Sequence, residues 1–277
     1  MNEPWALTPD DDSKLATRNP KLETFPHMNR IEECFARLKR SRKKGFIVYI
    51  GAGDPNLGAT RDLALAFDGA GVDILELGVP FSDPLADGLV NQLAAQRGLE
   101  SGTTPPKVLE TVAAIRKESQ IPIVLYIYFN LVHRYGVERF IQDAAEAGVD
   151  GLLVLDLPPE ESGDYETLMR EAGLCNIYLV APTTPEDLSR EGVTGMQEKV
   201  SDTIGQKLSK IRTHTDLPIA VGFGISTPEQ AKLVAQYADA VVVGSVVVNQ
   251  IASHGTSCAL VPQVSRFVRS LKTGDVN

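Results

Sequence analysis

The stretch "ELGVPFSDPLADG" sets three carboxylates, Glu76, Asp83 and Asp87, around two prolines directly after a short apolar run. Glu76 is flanked by Ile74, Leu75, Leu77 and Val79. Partial loss of water raises a carboxyl pKa and keeps a proton available near neutral pH. An aspartate on the more open stretch that follows stays ionised. Two carboxyls with separated pKa values can act as general acid and charge-stabilising base, each worth about 10²–10⁴-fold. Competing readings without chemistry are an internal salt bridge for Glu76 and a cap or partner contact for Asp83.

A second set of residues suits an anion. "VGFGIST" (221–227) and "VVVGS" (241–245) end apolar runs on glycine, and "GVTG" (192–195) lies upstream. Glycine lets backbone N–H groups approach an anion, and a helix N-terminus adds favourable dipole. Together they point to a phosphate monoester substrate, against the plainer reading of glycines in tight turns. No lysine stands at the end of an apolar run, so a Schiff-base aldolase lacks its nucleophile. His27, His133, His214 and His254 occur singly, without metal-ligand spacing. No Gly-x-Ser-x-Gly elbow appears. What remains is metal-free acid–base chemistry on a small phosphorylated molecule.

Such residues need a scaffold, and the chain supplies a repeating one. Seven short runs, at 46–50, 73–79, 121–128, 151–157, 176–181, 217–223 and 239–245, are apolar at nearly every position. Strands buried on both faces belong to parallel sheets covered by helices. Amphipathic stretches alternate with them, including 106–118, 137–148 and 227–238, the last opening on Thr227 and Pro228 as a helix start. Before the first run, Ile31, Cys34, Phe35 and Leu38 form the stripe of another helix. Ala-Gly-Val-Asp recurs at 70–73 and 147–150 and is echoed by Ala-Asp at 238–239. Each copy marks the joint where a helix ends in a glycine turn and a strand begins. Repeated βα units imply an α/β fold of the TIM-barrel type, whose functional residues sit at the carboxyl ends of strands. Asp54, Glu76, Asn130, Asp156 and the final Gly-Ser all fall there.

Net charge is −9 in 277 residues, with 43% hydrophobic and 23% charged. That balance argues against a nucleic-acid partner. The basic run Arg37–Lys44 reads as the polar end of a helix. No run reaches the ~18 apolar residues of a membrane span. Residues 1–27, with four prolines and three consecutive aspartates, read as an extension that is disordered, followed by a single barrel domain over 28–277. Three scattered cysteines and no secretory leader point to the cytoplasm.

"LELGVPFSDPLADG", "AGDP", "DLPPEE", "APTTP", "REGVTG" and "LPIAVGFGISTPEQ" resemble, in order and over most of residues 29–250, the motifs of the tryptophan synthase alpha subunit family. The resemblance implies a (β/α)₈ barrel that cleaves indole-3-glycerol phosphate to indole and glyceraldehyde 3-phosphate, with no cofactor in this chain. It implies a beta subunit that carries pyridoxal phosphate and receives the indole in an alpha2-beta2 tetramer. By that likeness Glu76 shuttles protons and Asp87 accepts the indole N–H bond. Tyr49, Tyr128 and Phe223 line the indole slot. Thr194, Gly195, Gly224, Gly244 and Ser245 bind the phosphate, and Asp83, Asn130 and Asp156 face the beta subunit.

Two departures stand out. Gly51 occupies a position where the family usually has threonine, which is expected to loosen the first loop. Between "NIYLVAPTTP" and "LSREGVTG" only Glu186 and Asp187 remain. The family carries a helix and a strand there, so roughly 18 residues, about one αβ segment, are absent. Seven strands are therefore expected, with two unpaired edges. Three functions stay open at this point: an active lyase, a catalytically impaired subunit that activates a beta partner, and another phosphate-binding barrel isomerase.

Overall fold

The computed structural model of the chain describes residues 28–157, 161–180, 201–222, 224–225 and 227–272. The expectations for residues 1–27, Thr194, Gly195 and Phe223 lie outside the described residues. A helix α1 (Arg30–Ser41) leads into β1 (Gly45–Gly51), α2 (Leu57–Ala70) and β2 (Ile74–Gly78). Next come α3 (Leu89–Glu100), α4 (Pro105–Arg116), β3 (Ile123–Ile127), α5 (Phe129–Tyr135), α6 (Val137–Ala147) and β4 (Gly151–Val154). After α7 (Gly163–Glu171) and β5 (Cys175–Asn176) the chain continues through α8 (Ser201–Arg212), β6 (Ala220–Val221), α9 (Pro228–Ala235) and β7 (Ala240–Val243). It closes with α10 (Ser245–His254) and α11 (Leu260–Lys272).

The strands form one parallel sheet in the order β5-β4-β3-β2-β1-β7-β6. Pairing of β7 with β1 curls the sheet round as a barrel does. Among the described residues no strand stands between β5 and β6, the interval in which the sequence is expected to lack one αβ segment. Both edge strands span only two residues, shorter than the runs at 176–181 and 217–223 suggested. Among the described residues each pairs with a single neighbouring strand.

Alternation along each strand sorts side chains into two layers. Phe46, Val48 and Ile50 of β1, Leu75 and Leu77 of β2, and Ile123, Leu125 and Ile127 of β3 point outward against the helices. Their neighbours Ile47, Ile74 and Val124 point inward, where Ile31, Cys34 and Leu38 of α1 plug the amino-terminal end. Burying each such Leu, Ile or Phe contributes about 1.5–3 kcal/mol relative to exposure. Asn29 starts α1 with a reciprocal capping box to Glu32, and its amide also donates to the carbonyls of Asp150 and Gly173. Local capping and docking of the plug are thus the same contact.

The repeated aspartate has a uniform structural role. Asp73, Asp150 and Asp239 each accept, on Oδ2, the backbone N–H at the start of the preceding strand: Phe46 (3.0 Å), Ile123 (2.7 Å) and Ile219 (2.8 Å). Their own N–H groups donate back to the carbonyls of the same three residues. A cation completes each joint: Arg37 and Lys272 at Asp73, Arg116 and Arg30 at Asp150, Arg212 at Asp239. The joints fix strand starts, so the opposite ends are free to carry chemistry.

Candidate active site

Glu76 shares the inward face of β2 with Ile74, one layer nearer the carboxyl end, and sits between Tyr49 of β1 and Val124 of β3. It is 8% exposed. Burial, and secondarily the charge of Asp87, pushes its carboxyl up to about 7. Among the described residues no cation pairs with it, so the salt-bridge reading finds no partner there. The neutral form of Glu76 is favoured on folding between its ordinary value of 4.5 and about 7. Stability therefore falls as pH rises through that window, by about 3 kcal/mol in full. Glu76→Gln is expected to be more stable than the parent by up to that amount at about pH 8 and no more stable at about pH 4.5. Chemical unfolding at the two pH values measures this, and equal differences at both would contradict it.

Asp87 stands in a different environment on the loop between β2 and α3. Tyr126 Oη donates to Oδ1 and Tyr128 Oη to Oδ2, each at 2.8 Å. The neighbouring Asn91 side chain also favours the ionised form. Burial raises the Asp87 pKa and these donors pull it down, the net direction being upward. Tyr49, Tyr126 and Tyr128 are all displaced upward, chiefly by burial and then by Asp87, and stay protonated donors. Tyr128 also accepts the Ala86 N–H at 3.0 Å, latching the loop that carries Asp87. Its ring lies 5.0 Å from that of Phe81. Tyr128 thus does more than line a slot. Tyr126 and Asn91 escaped sequence reasoning, although Tyr126 is two residues from Tyr128 and shares the inward face with Val124.

The slot is floored by close contacts. Tyr49 and Tyr126 meet edge to face at 5.2 Å. A Cβ at Gly78 would lie 2.4 Å from Tyr49 Oη and 2.8 Å from Cζ. Gly78→Ala is expected to cost about 1–3 kcal/mol by overpacking, with part of the loss recovered in the Tyr49→Phe background, where the nearest atom is gone. Urea unfolding of the single and double variants measures the coupling, and simple additivity would contradict the contact. Gly51 is packed rather than loose, because a Cβ there would lie 3.3 Å from Ala94 of α3. Asp54 is buried and held by Arg97 through Nε–Oδ1 (2.8 Å) and Nη2–Oδ2 (2.7 Å). It clamps the first loop and leaves no oxygen directed at the slot without a partner.

At the last two strands, parallel pairing of β6 with β7 brings Gly224 and Gly244 to the same end of the sheet. Gly224 has φ +62°, and Gly244 caps α10, which begins at Ser245. The first amides of α10 are thereby presented at the strand ends. Asp83, Asn130 and Asp156 are exposed on the rim. Asp156 also accepts the Phe129 N–H at 2.5 Å, which fixes the start of α5. Leu85 and Leu89, 86% and 69% exposed, flank Asp83 and Asp87. Among the described residues no group of three or more His, Cys, Asp or Glu is arranged to hold a metal ion. Nor is any described helix long and apolar enough to cross a membrane.

A parallel β/α barrel wall with a buried glutamate and a hydrogen-bonded aspartate at its strand ends belongs to the TIM-barrel class. The tryptophan synthase alpha chain family model matches residues 35–273. The chain belongs to that family, and so to the carbon–carbon lyases of tryptophan biosynthesis. It is 50% identical over 239 residues to the tryptophan synthase alpha chain of Opitutus terrae, covering 81% of this chain and 90% of that one. It is 44% identical over 262 residues to that of Geotalea daltonii, covering 89% and 99%. Tryptophan synthase subunit alpha from Legionella pneumophila superposes with a TM-score of 0.82 at 34% identity, covering 90% of this chain and 98% of that one.

Proposed function

We propose that this chain cleaves indole-3-glycerol phosphate to indole and glyceraldehyde 3-phosphate, with Glu76 moving protons and Asp87 stabilising charge. Protonated Glu76 gives its proton to indole C3, leaving an iminium-like ring whose N–H binds the Asp87 carboxylate. The Glu76 carboxylate then takes the proton of the adjacent glycerol hydroxyl. The bond from C3 to that carbon breaks, its electrons restore the indole, and the carbon leaves as an aldehyde. Protons and electrons balance without a redox partner or a cofactor in this chain.

The observation that carries this reading is the contrast between two neighbouring carboxyls. Among the described residues Glu76 has no cation partner and its pKa is pushed up to about 7, whereas Asp87 has donors on both oxygens. Burial raises both, but only at Asp87 do donated hydrogen bonds oppose the rise, which suits Glu76 to the acid role and Asp87 to the anion role. Tyr49, Tyr128 and Phe223 flank the ring in this proposal. Thr194, Gly195, Gly224, Gly244 and Ser245 bind the phosphate. Residues 28–277 act as one barrel domain after the extension 1–27, in the cytoplasm.

Asp83, Asn130 and Asp156, with exposed Leu85 and Leu89 beside them, are proposed to face a beta subunit that carries pyridoxal phosphate, in an alpha2-beta2 assembly. That no strand stands between β5 and β6 among the described residues favours a second reading, in which the chain activates that partner with little turnover of its own. Release of indole from indole-3-glycerol phosphate by the purified chain tests the first. Competition by indole-propanol phosphate, and none by triose phosphates, is expected. Equal competition by triose phosphates would instead indicate an isomerase. Capture of the beta subunit with no indole released would favour the activator.

A further inference from the structure

We propose that Tyr126 is a positioning residue for this reaction: its hydroxyl, acting with that of Tyr128, fixes Asp87 as an oriented carboxylate facing the ring nitrogen. The proposal rests on the function proposed above and deepens it. Asp87 lies on a loop, and a single hydrogen bond would leave its carboxylate free to turn about Cβ–Cγ. Two donors on different oxygens fix the plane, since Tyr126 takes Oδ1 and Tyr128 takes Oδ2. Each oxygen keeps a lone pair for a further donor.

The two tyrosines differ in what they hold. Tyr128 also binds the Ala86 N–H, so it organises the loop as well as the carboxylate. Tyr126 is part of the sheet itself. It is in register with Gly78 of β2 and Leu153 of β4, and its carbonyl accepts the Val79 N–H at 2.9 Å. Its hydroxyl therefore ties a loop carboxylate to a strand that is paired on both sides. Gly78 opposite offers no side chain to obstruct the ring, which rests edge-on against Tyr49. Among the described residues the titratable and polar groups facing Asp87 are Glu76 of β2, Tyr49 of β1, Tyr126 and Tyr128 of β3 and its end, and Asn91 of α3. None is a cation. Donated hydrogen bonds are thus what holds the charge on Asp87, and burial opposes them.

Tyr126→Phe removes the hydroxyl and keeps the ring against Tyr49. The expected result is a fall in kcat of about tenfold, as for loss of one hydrogen bond to a charged group, with KM changed less than about twofold. The acid limb of the kcat/KM profile moves to higher pH, because the ionised form of Asp87 loses a donor. Tyr128→Phe, which also frees the Ala86 N–H, is expected to change KM as well. A merely structural role would lower the melting temperature of Tyr126→Phe and leave the pH profile in place. An unchanged kcat and acid limb in a folded Tyr126→Phe would overturn the proposal. Carbon-13 NMR titration of the Asp87 carboxyl in the full chain separates this from failure of the proposed function. If the parent chain releases no indole, the function fails, and an Asp87 titration that does not move upward in Tyr126→Phe still overturns the clamp.

Discussion

Glu76→Gln is expected to lower the release of indole from indole-3-glycerol phosphate by about 10²–10⁴-fold, the usual worth of a positioned general acid–base group. Glutamine keeps the size and neutrality of the protonated side chain and removes the proton. The loss should therefore appear in kcat, with KM nearly unchanged. In the parent, kcat/KM should decline as pH rises through about 7, because Glu76 must start protonated and its pKa lies there. The same substitution is expected to stabilise the fold above that pH. Opposite effects on activity and stability at one position are the mark of a group held buried for function. Initial rates of the purified variant decide the matter, and parent-like rates would remove Glu76 from the mechanism.

The largest expected effect on stability lies at the other end of the barrel. Asp150 is buried and binds Arg116 Nη2 at 2.6 Å, Arg30 Nη1 at 2.7 Å and the Ile123 N–H. The Arg116 side chain is 9% exposed, and burial, outweighing Asp150, pulls its pKa down to about 10. Asp150→Ala leaves that guanidinium buried without its carboxylate, although it still donates to the carbonyls of Gly148 and Ile121. Breaking a buried pair from one side costs about 3–5 kcal/mol. That is a large part of the ~5–15 kcal/mol that holds a typical domain folded. Urea unfolding is expected to show the loss, and a change below about 1 kcal/mol would contradict the role of this joint.

Much of this was legible in the chain itself. Apolar runs without alternation indicated a parallel sheet, and the recurrence of aspartate before a strand located three of its joints. The missing segment between the fifth run and "LSREGVTG" matches the opening between β5 and β6 among the described residues. The lengths of those two strands were not legible, because an apolar run does not report whether a neighbour exists to pair with it. At the site, the flanking residues of Glu76 carried its desolvation directly. The tyrosine donors to Asp87 could not be read so easily, since Tyr126 and Tyr128 are 39 and 41 residues away and sit in a run that reads as core. The partner of Asp54 was illegible for the same reason, since Arg97 lies 43 residues on.

A crystal structure of the chain with indole-propanol phosphate bound tests the central claim most directly. The expected result has the indole ring between the two carboxyl groups, with its N–H on Asp87, C3 within reach of Glu76, and the phosphate at the amides of Gly244 and Ser245. A ring bound elsewhere, or either carboxyl group turned out into solvent, would contradict it.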